Sequence, residues 1–441
     1  MVLKSSLLAA STLVGSAVAA SYSQASTEEF NLLRHLGGNG PYVQHHGYGL
    51  SREAPESCTI DQVHMLSRHG ERYQTASKGA SEKKVVDRLL SADVTPTGPL
   101  SFLSTYTWPA TDADYEEETT MGPYAGTLDA FSVGTEYRAR YGALYDDSEI
   151  MPIFASEEER VVVTAHNFAQ GFLGVNYSDY SEFQIIPEDV SRGANTLTWK
   201  LGCNNYNKTL YSDYIDSFSD DYAVQAADRL NTLAPGYNIT SDEVVSLMTL
   251  CGYELNIRAN DDFCKLFTPD EFVAFGYSRD LAYYYQYGQG NNLTDYIGSV
   301  YANATATLLE QGPSVGKMFW SFTHDDDMIS VFYGLGLFET PSLLPAEYVQ
   351  FGSPFQTSEI VPMGGRIVIE RLNCSGHAYA RIVVNEAVIP ITSCQSGPGY
   401  SCPVTDFKTF VNKRAPKTYG IECGLDDDVP WHMWFYWNWN K

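Results

Sequence analysis

The chain has 441 residues, 54 of them acidic and 28 basic, and its formal charge of −26 argues against nucleic acid or an anionic membrane surface as partner. With 44% hydrophobic and 13% aromatic residues it can bury the core of one large domain or two moderate ones. An anionic ligand must find a locally basic pocket in a repelling field, and acid weakens that repulsion.

The N-terminus reads as a secretory signal. Lys4 is its charged end, Leu7 to Val18 its apolar stretch, and Ala17-Val18-Ala19 a small-residue cleavage site. Residues 1–19 are therefore expected to be removed. The apolar stretch is too short to span a bilayer, and no later segment is apolar enough to do so. A soluble, exported protein follows, extracellular or held in the cell wall or periplasmic space. Residues 21–57 are rich in Gly, Tyr and His and read as ordered coil. The His45-His46 pair could hold a metal, but surface histidines are the simpler reading.

Cys58 to Thr75 is the most informative stretch. Ile60, Val63, Met65 and Leu66 suggest a strand, and Arg68, His69, Gly70 and Arg72 follow at once. Guanidiniums present rigid forks of donors that match phosphate or carboxylate oxygens. A neutral imidazole between them is placed to attack what they hold. The glycine fits where backbone bends or comes close to a ligand. The acidic run Asp112 to Glu118 reads as a solvated face.

Ser156 with Glu159 has the form of a capping box, and Val162, Ala165, Ala169 and Phe172 recur at helical spacing. A helix to about Leu173 is expected, with Arg160 in its first turn. A cation there opposes the helix dipole. Spacing alone makes it a surface arginine. Residues 191–310 read as mostly helical, with Ser241 capping a helix whose stripe of Val244, Leu247, Met248, Cys251 and Leu255 is core.

Met318 to Phe322 reads as a buried strand, and an apolar helix is expected from about Met328 to Leu335. Thr323 with Asp326 gives the capping signature. His324 and Asp325 then sit where a strand ends and a helix begins, the edge at which open α/β sheets bind ligands. Asp325, Asp326 and Asp327 lack any EF-hand pattern, and acids are expected at a helix N-terminus, so no metal is assigned to them. Four tryptophans between Trp431 and Trp439 suggest a packed strand or edge. Lys413-Arg414 reads as an ordinary surface pair.

The eight cysteines, an even number in an exported chain, suggest four disulfides, for which sequence alone leaves 105 pairings. Sequons at Asn176, Asn207, Asn238, Asn292, Asn303 and Asn373 suggest N-linked glycans.

Together these motifs resemble the histidine acid phosphatases, in particular the secreted yeast acid phosphatases and fungal phytases. The family pattern R-H-G-x-R-x-P stands here as Arg68-His69-Gly70-Glu71-Arg72-Tyr73-Gln74, and its late H-D as His324-Asp325. The resemblance extends to Gly37-Gly38-Asn39-Gly40-Pro41-Tyr42, the helix carrying Arg160, the eight cysteines and the aromatic C-terminus. Gln74 replaces the family's proline, which would fix φ and stiffen the loop. The resemblance implies His69 as nucleophile, Asp325 as acid to the leaving group, and Arg68, Arg72, Arg160 and His324 as phosphate ligands, with no cofactor or metal. It implies an α/β domain with a mixed, mostly parallel sheet flanked by helices, phosphoglycerate-mutase-like, carrying an inserted, mainly helical domain. Approximate boundaries are 20–78, 150–190 and 300–441 for the first and 79–149 with 191–299 for the second. It implies disulfides Cys58–Cys374, Cys203–Cys423, Cys251–Cys264 and Cys394–Cys402. The expected activity is phosphate monoester hydrolysis through a phosphohistidine. A preference for inositol hexakisphosphate, or a catalytically impaired cell-wall glycoprotein of the same fold, are the alternatives. A homo-oligomer is compatible with the sequence.

Overall fold

The computed structural model describes residues 30–415 and 418–439, so the expected signal peptide lies outside the described residues. One sheet organises them. Its strands are β1 (Cys58–Arg68), β2 (Met151–Ser156), β3 (Ser181–Ile186), β4 (Met318–Thr323), β5 (Arg366–Cys374), β6 (His377–Val384), β7 (Ala387–Val388) and β8 (Cys402–Pro403). They lie in the order β3-β2-β4-β1-β5-β6-β7, with β8 beside β6. β3, β2, β4 and β1 are parallel, and β5 to β8 extend the sheet with antiparallel pairing. β4 is buried along its whole length, as a central strand covered on both faces must be.

The helices used below are α1 (Ala76–Leu90), α2 (Gly126–Tyr141), α3 (Glu159–Leu173), α4 (Ser212–Ile215), α5 (Asp221–Leu233), α6 (Ser241–Arg258), α7 (Pro269–Tyr287), α8 (Thr294–Gln311) and α9 (Asp325–Gly334). On one face of the sheet α2 and α3 pack over Met65, Ile153, Trp320 and Phe322. On the other, α8, α9 and the end of α7 pack over Leu66, Phe154 and Phe319. α8 and α9 meet closely: a Cβ on Gly298 would stand 1.8 Å from the Ser330 carbonyl oxygen, so only glycine lets α9 approach. A separate core joins α1, α5, α6 and the start of α7.

α2 thus shares its core with the sheet, and the layer boundary falls inside the 79–149 stretch rather than at its end. The reason is apolar matter: Val133, Tyr137 and Tyr141 face the same core as Trp320. The C-terminal aromatics also differ from expectation. They form a short helix, Phe435–Asn438, whose Phe435 and Tyr436 rings close on Phe154. The expected cap Ser156 is the last residue of β2, and Glu158 precedes α3 instead. Thr240, one residue before Ser241, makes the capping box of α6 with Glu243. Lys413 and Arg414 end the helix Val404–Arg414, where Arg414 pairs with Glu339 at 2.9 Å.

The cysteines pair as Cys58–Cys374, Cys203–Cys423, Cys251–Cys264 and Cys394–Cys402. The first joins register partners of β1 and β5, so it pins the strand that leads to His69. Among the described residues no helix is long and apolar enough to cross a membrane.

Candidate active site

Register assembles the site. Arg68 at the end of β1 lies opposite Thr323 at the end of β4, so His69 and His324 leave neighbouring strands side by side. Their rings are 5.9 Å apart and nearly edge-to-face. The backbone of His69 is fixed on both sides, by its N–H to the Thr323 carbonyl at 3.1 Å and by its own carbonyl accepting from Gly364 N–H at 2.9 Å. Gly70 follows because nothing larger fits: a Cβ there would stand 2.8 Å from Gly126 Cα.

His69 is 1% exposed, and its Nδ1 lies 2.8 Å from the Gly70 carbonyl oxygen. A carbonyl only accepts, so Nδ1 carries the hydrogen and Nε2 keeps its lone pair. Burial, then the charges of Arg68, Arg72 and Arg160, hold its pKa well below the usual range for histidine. The imidazole is therefore neutral and nucleophilic even in acid.

Three guanidiniums surround it. Arg68 gives Nη1 to the Gly38 and Val361 carbonyls at 2.6 and 2.8 Å and Nη2 to Asp325 Oδ2 at 3.0 Å. Arg72 gives Nη1 to the Tyr73 carbonyl at 2.7 Å. Arg160 pairs with Glu158. Among the described residues, the Nε atoms of Arg68, Arg72 and Arg160 are buried without a hydrogen-bond partner. Burial and the charge of Arg72 pull Arg160 below its usual range, the mark of cations crowded together. Arg160 is thus no surface residue: the start of α3, after β2, brings it to the strand ends.

His324 stands at the N-cap of α9 and Asp325 is the first residue of that helix. His324 Nε2 lies 2.8 Å from Glu188 Oε1 and 3.5 Å from Ser156 Oγ. Tyr283 Oη donates to Asp325 Oδ2 at 2.8 Å. Burial alone would raise the pKa of Asp325, but Arg68, the Tyr283 hydrogen bond, His324 and Arg72 bring it down to about 2. A cavity of about 220 Å³ opens between these groups. His69, Arg72, Arg160, His324 and Asp325 line it, whereas Arg68 sits behind Asp325.

Several participants escaped the sequence reading. Glu188 follows the end of β3 at the same sheet edge, so the strand-end rule applied to β3 would have found it. Lys200 lines the cavity, paired with Asp326 and, at 3.4 Å, with Asp327, and nothing in its surroundings in sequence announces it. Glu118, expected on a solvated face, is buried and accepts from Gly70 N–H at 2.9 Å. It bonds Thr164 as well, and burial pushes its pKa up to about 8. Gly38, from the glycine-rich segment, lies so near the acid that a Cβ would stand 3.2 Å from Asp325 Oδ2. Gln74 is buried, and its Nε2 donates to Glu82 Oε2 at 3.0 Å.

His45 and His46 are not a surface pair. His45 is 5% exposed, and both rings meet Glu359, their donor atoms lying within 4.8 Å of one another. The donor set does not fit a cation. Gly47 N–H donates to His45 Nδ1 at 2.9 Å, which puts the hydrogen on Nε2 and leaves no lone pair there. Arg34 already pairs with Glu359 at 3.0 Å.

Residues 59–385 match the family model described as the Histidine phosphatase superfamily (branch 2), and the chain belongs to that family. It is an enzyme of the acid phosphatase and phytase kind within it. The chain is 43% identical to acid phosphatase PHO1 of Komagataella pastoris over 95% of its own length and 92% of the relative's. It is 40% identical to phytase PHO112 of Candida albicans, again over 95% and 92%. The crystal structure of the phytase from D. castellii superposes with a TM-score of 0.91 at 38% identity, covering 93% of this chain and 91% of that one.

Proposed function

We propose that the chain hydrolyses small organic phosphate monoesters in acid through a phosphohistidine on His69 Nε2. Support comes above all from three buried guanidinium Nε–H groups, unspent, around a neutral imidazole whose lone pair is free. Arg72, Arg160 and His324 take the phosphoryl oxygens on the cavity wall, and Arg68 adds its charge from behind Asp325. They neutralise charge as it spreads in the transition state, which needs no metal or other cofactor.

In the first step the Nε2 lone pair forms the N–P bond as the P–O bond to the alcohol breaks. Asp325 gives its proton to the departing oxygen. Water then attacks phosphorus, the N–P pair returns to Nε2, and Asp325 takes the water's proton. Asp325 is ionised in the free site, so its proton must arrive with the substrate. Below about pH 6 a phosphate monoester binds as a monoanion that carries one. A phosphate oxygen beside Asp325 also competes for Arg68 and raises the carboxyl's proton affinity. This accounts for an acidic optimum.

The protein acts outside the cell or in its wall, carrying glycans on exposed sequons. Asn176, Asn207, Asn238, Asn292 and Asn373 are exposed, while Asn303 is half-buried within α8. The direct test is p-nitrophenyl phosphate hydrolysis at about pH 5, with enzyme quenched in denaturing alkali, where an N–P bond survives, searched for phosphate on the His69 peptide. No hydrolysis by folded protein removes the proposal, and hydrolysis without a phosphopeptide removes the intermediate.

A further inference from the structure

The Gly70 carbonyl holds the His69 ring at Nδ1, so whatever holds Gly70 aims the nucleophile. A glycine restricts its own φ and ψ least of all residues, and its peptides must be fixed from outside. On the far side the Glu71 carbonyl accepts from Thr119 N–H at 2.9 Å and from Thr119 Oγ1 at 3.1 Å. On the near side the Gly70 N–H is shared between Glu118 Oε1 and Thr164 Oγ1, each at 2.9 Å. Glu118 and Thr164 bond each other, and Thr164 reaches the Arg160 carbonyl at 2.8 Å, one turn back in α3. Both side chains are buried.

We propose that Glu118 is a positioning residue for the nucleophile, acting as a neutral acid that pins the Gly70 peptide to α3. The proposal rests on the phosphatase reading above and adds a residue to it. α3 packs on the sheet through Val161, Ala165 and Phe168, so its first turns are a fixed point. Glu118 and Thr164 join that point to the Gly70 N–H, and the Gly70 carbonyl joins it to His69 Nδ1. The Nε2 lone pair, on the other side of the ring, is thereby aimed into the cavity without any contact between Glu118 and substrate.

Hydrogen counting explains why the acid is neutral. Thr164 has one hydroxyl hydrogen and two oxygens near it, on Arg160 and on Glu118. A protonated Glu118 fills both contacts: it gives its own hydrogen to Thr164, and Thr164 gives its hydrogen to the Arg160 carbonyl. Among the described residues Glu118 Oε2 is buried without a hydrogen-bond partner, a costly place for half a carboxylate charge. The carboxyls facing it share its sign: Glu117 beside it, Glu71 on the nucleophile loop and Asp129 on α2. Of the nearby cations, Arg72 lies opposite it in a backbone bridge but turns its Nη1 to the Tyr73 carbonyl, and Arg160 pairs with Glu158. Burial pushes the carboxyl up to about 8, so the tether is complete in acid.

The test uses the full-length secreted enzyme at about pH 5, comparing kcat with the inhibition constant of inorganic phosphate. Glu118→Leu keeps the bulk and loses both contacts, so kcat should fall about 100-fold, the cost of a misaligned attacking atom. Phosphate inhibition, which reads the guanidiniums, should move by less than about threefold. Thr164→Val replaces one hydroxyl by a methyl and should lower kcat about tenfold, which keeps the tether testable if Glu118→Leu fails to fold. Glu118→Gln, a neutral isostere, should keep kcat within about threefold of the parent. Its kcat relative to the parent should then climb above about pH 8, where the parent ionises. Parental kcat in folded Glu118→Leu or Thr164→Val overturns the proposal. So does a loss in Glu118→Gln as deep as in Glu118→Leu, a relative kcat that stays flat above that pH, or phosphate inhibition that weakens as much as kcat falls. Failure of the parent reading looks different: the wild-type enzyme then hydrolyses no ester or forms no phosphohistidine.

Discussion

The molecule contains two histidine pairs with opposite fates. His69 and His324 stand at the ends of two parallel strands, open to a cavity and ringed by guanidiniums. His45 and His46 stack at 4.7 Å against Glu359, with Arg34 behind it. Residue types are alike and both first members are buried. What faces them separates them. The first pair opens on a cavity and on three guanidinium Nε–H groups that, among the described residues, lack a hydrogen-bond partner. The second faces protein: Gly47 N–H donates to His45 Nδ1, and Glu359 meets His46 and Arg34. Reactivity here comes from groups the fold leaves open to a ligand, and stability from groups it turns onto one another.

Breaking the reactive pair should cost rate and spare the fold. In His69→Ala we expect kcat to fall on the order of 10⁴- to 10⁶-fold, the scale seen when a covalent nucleophile is lost. The melting temperature should stay near that of the parent. Activity close to normal would remove the mechanism. Asp325→Asn keeps shape but cannot donate a proton, so alkyl esters such as glycerol phosphate should lose about 10²- to 10⁴-fold. p-Nitrophenyl phosphate, whose leaving group needs no proton, should lose far less. Equal losses on both esters would make Asp325 structural and turn attention to Asp326 and Asp327.

Breaking the satisfied pair should do the reverse. Glu359→Gln removes the carboxylate that buried Arg34 meets at 3.0 Å and that His46 also meets, and should cost about 3 kcal/mol of stability. Its kcat should stay within a factor of about two, since Glu359 touches no group of the cavity. A chemical melt with parallel kinetics checks both halves. If kcat falls with stability unchanged, the division between the two pairs is wrong.

Stability against pH sharpens the contrast further. Burial raises Glu118 to about 8 and Glu82, Asp280 and Asp327 to about 7. These carboxyls hold protons in the folded chain that the unfolded chain, with pKa values near 4, has lost. Between about pH 6.5 and 8 the folded state binds more protons on these carboxyls, so stability falls as pH rises through that window. Below it, buried His45 and His64, lowered to about 4 and about 3, stay neutral where the unfolded chain is protonated and act in the opposite direction. Asp325 works with the histidines: with a folded pKa of about 2, its contribution is present above about pH 4 and disappears only as pH falls towards 2. We expect a higher melting temperature at about pH 6.5 than at about pH 8, by several degrees. A melt that rises steadily from about pH 6.5 to 8 would show that these carboxyls are ionised.

The smallest effect concerns Gln74. A proline there gains roughly 0.4–1 kcal/mol by restricting the unfolded chain. Sequence alone therefore suggests that Gln74→Pro raises stability. The structure reverses the sign, because Gln74 is buried and donates to Glu82. Leaving that buried carboxyl short of a donor costs about 1–3 kcal/mol, so the variant should melt lower by a few degrees. A higher melt would mean that Lys78, 3.4 Å from Glu82, suffices alone.

Local chemistry wrote much of this protein into its sequence. A strand running into Arg68-His69-Gly70-Glu71-Arg72 and another running into His324-Asp325 gave both halves of the site, because a strand end is fixed by residues close to it in the chain. Periodicity likewise marked most of the helices, and the resemblance carried by the two motifs implied the α/β class. Only tertiary structure decided what depends on distant pairing. It moved Arg160 from surface to cavity, buried Glu118 under Gly70, and set Glu188 on His324. It also turned His45 and His46 inward onto Glu359, more than 300 residues away in sequence. A charged side chain reads alike whether water or another charge will face it. Which of the two it meets is settled when the sheet's register brings remote strand ends together.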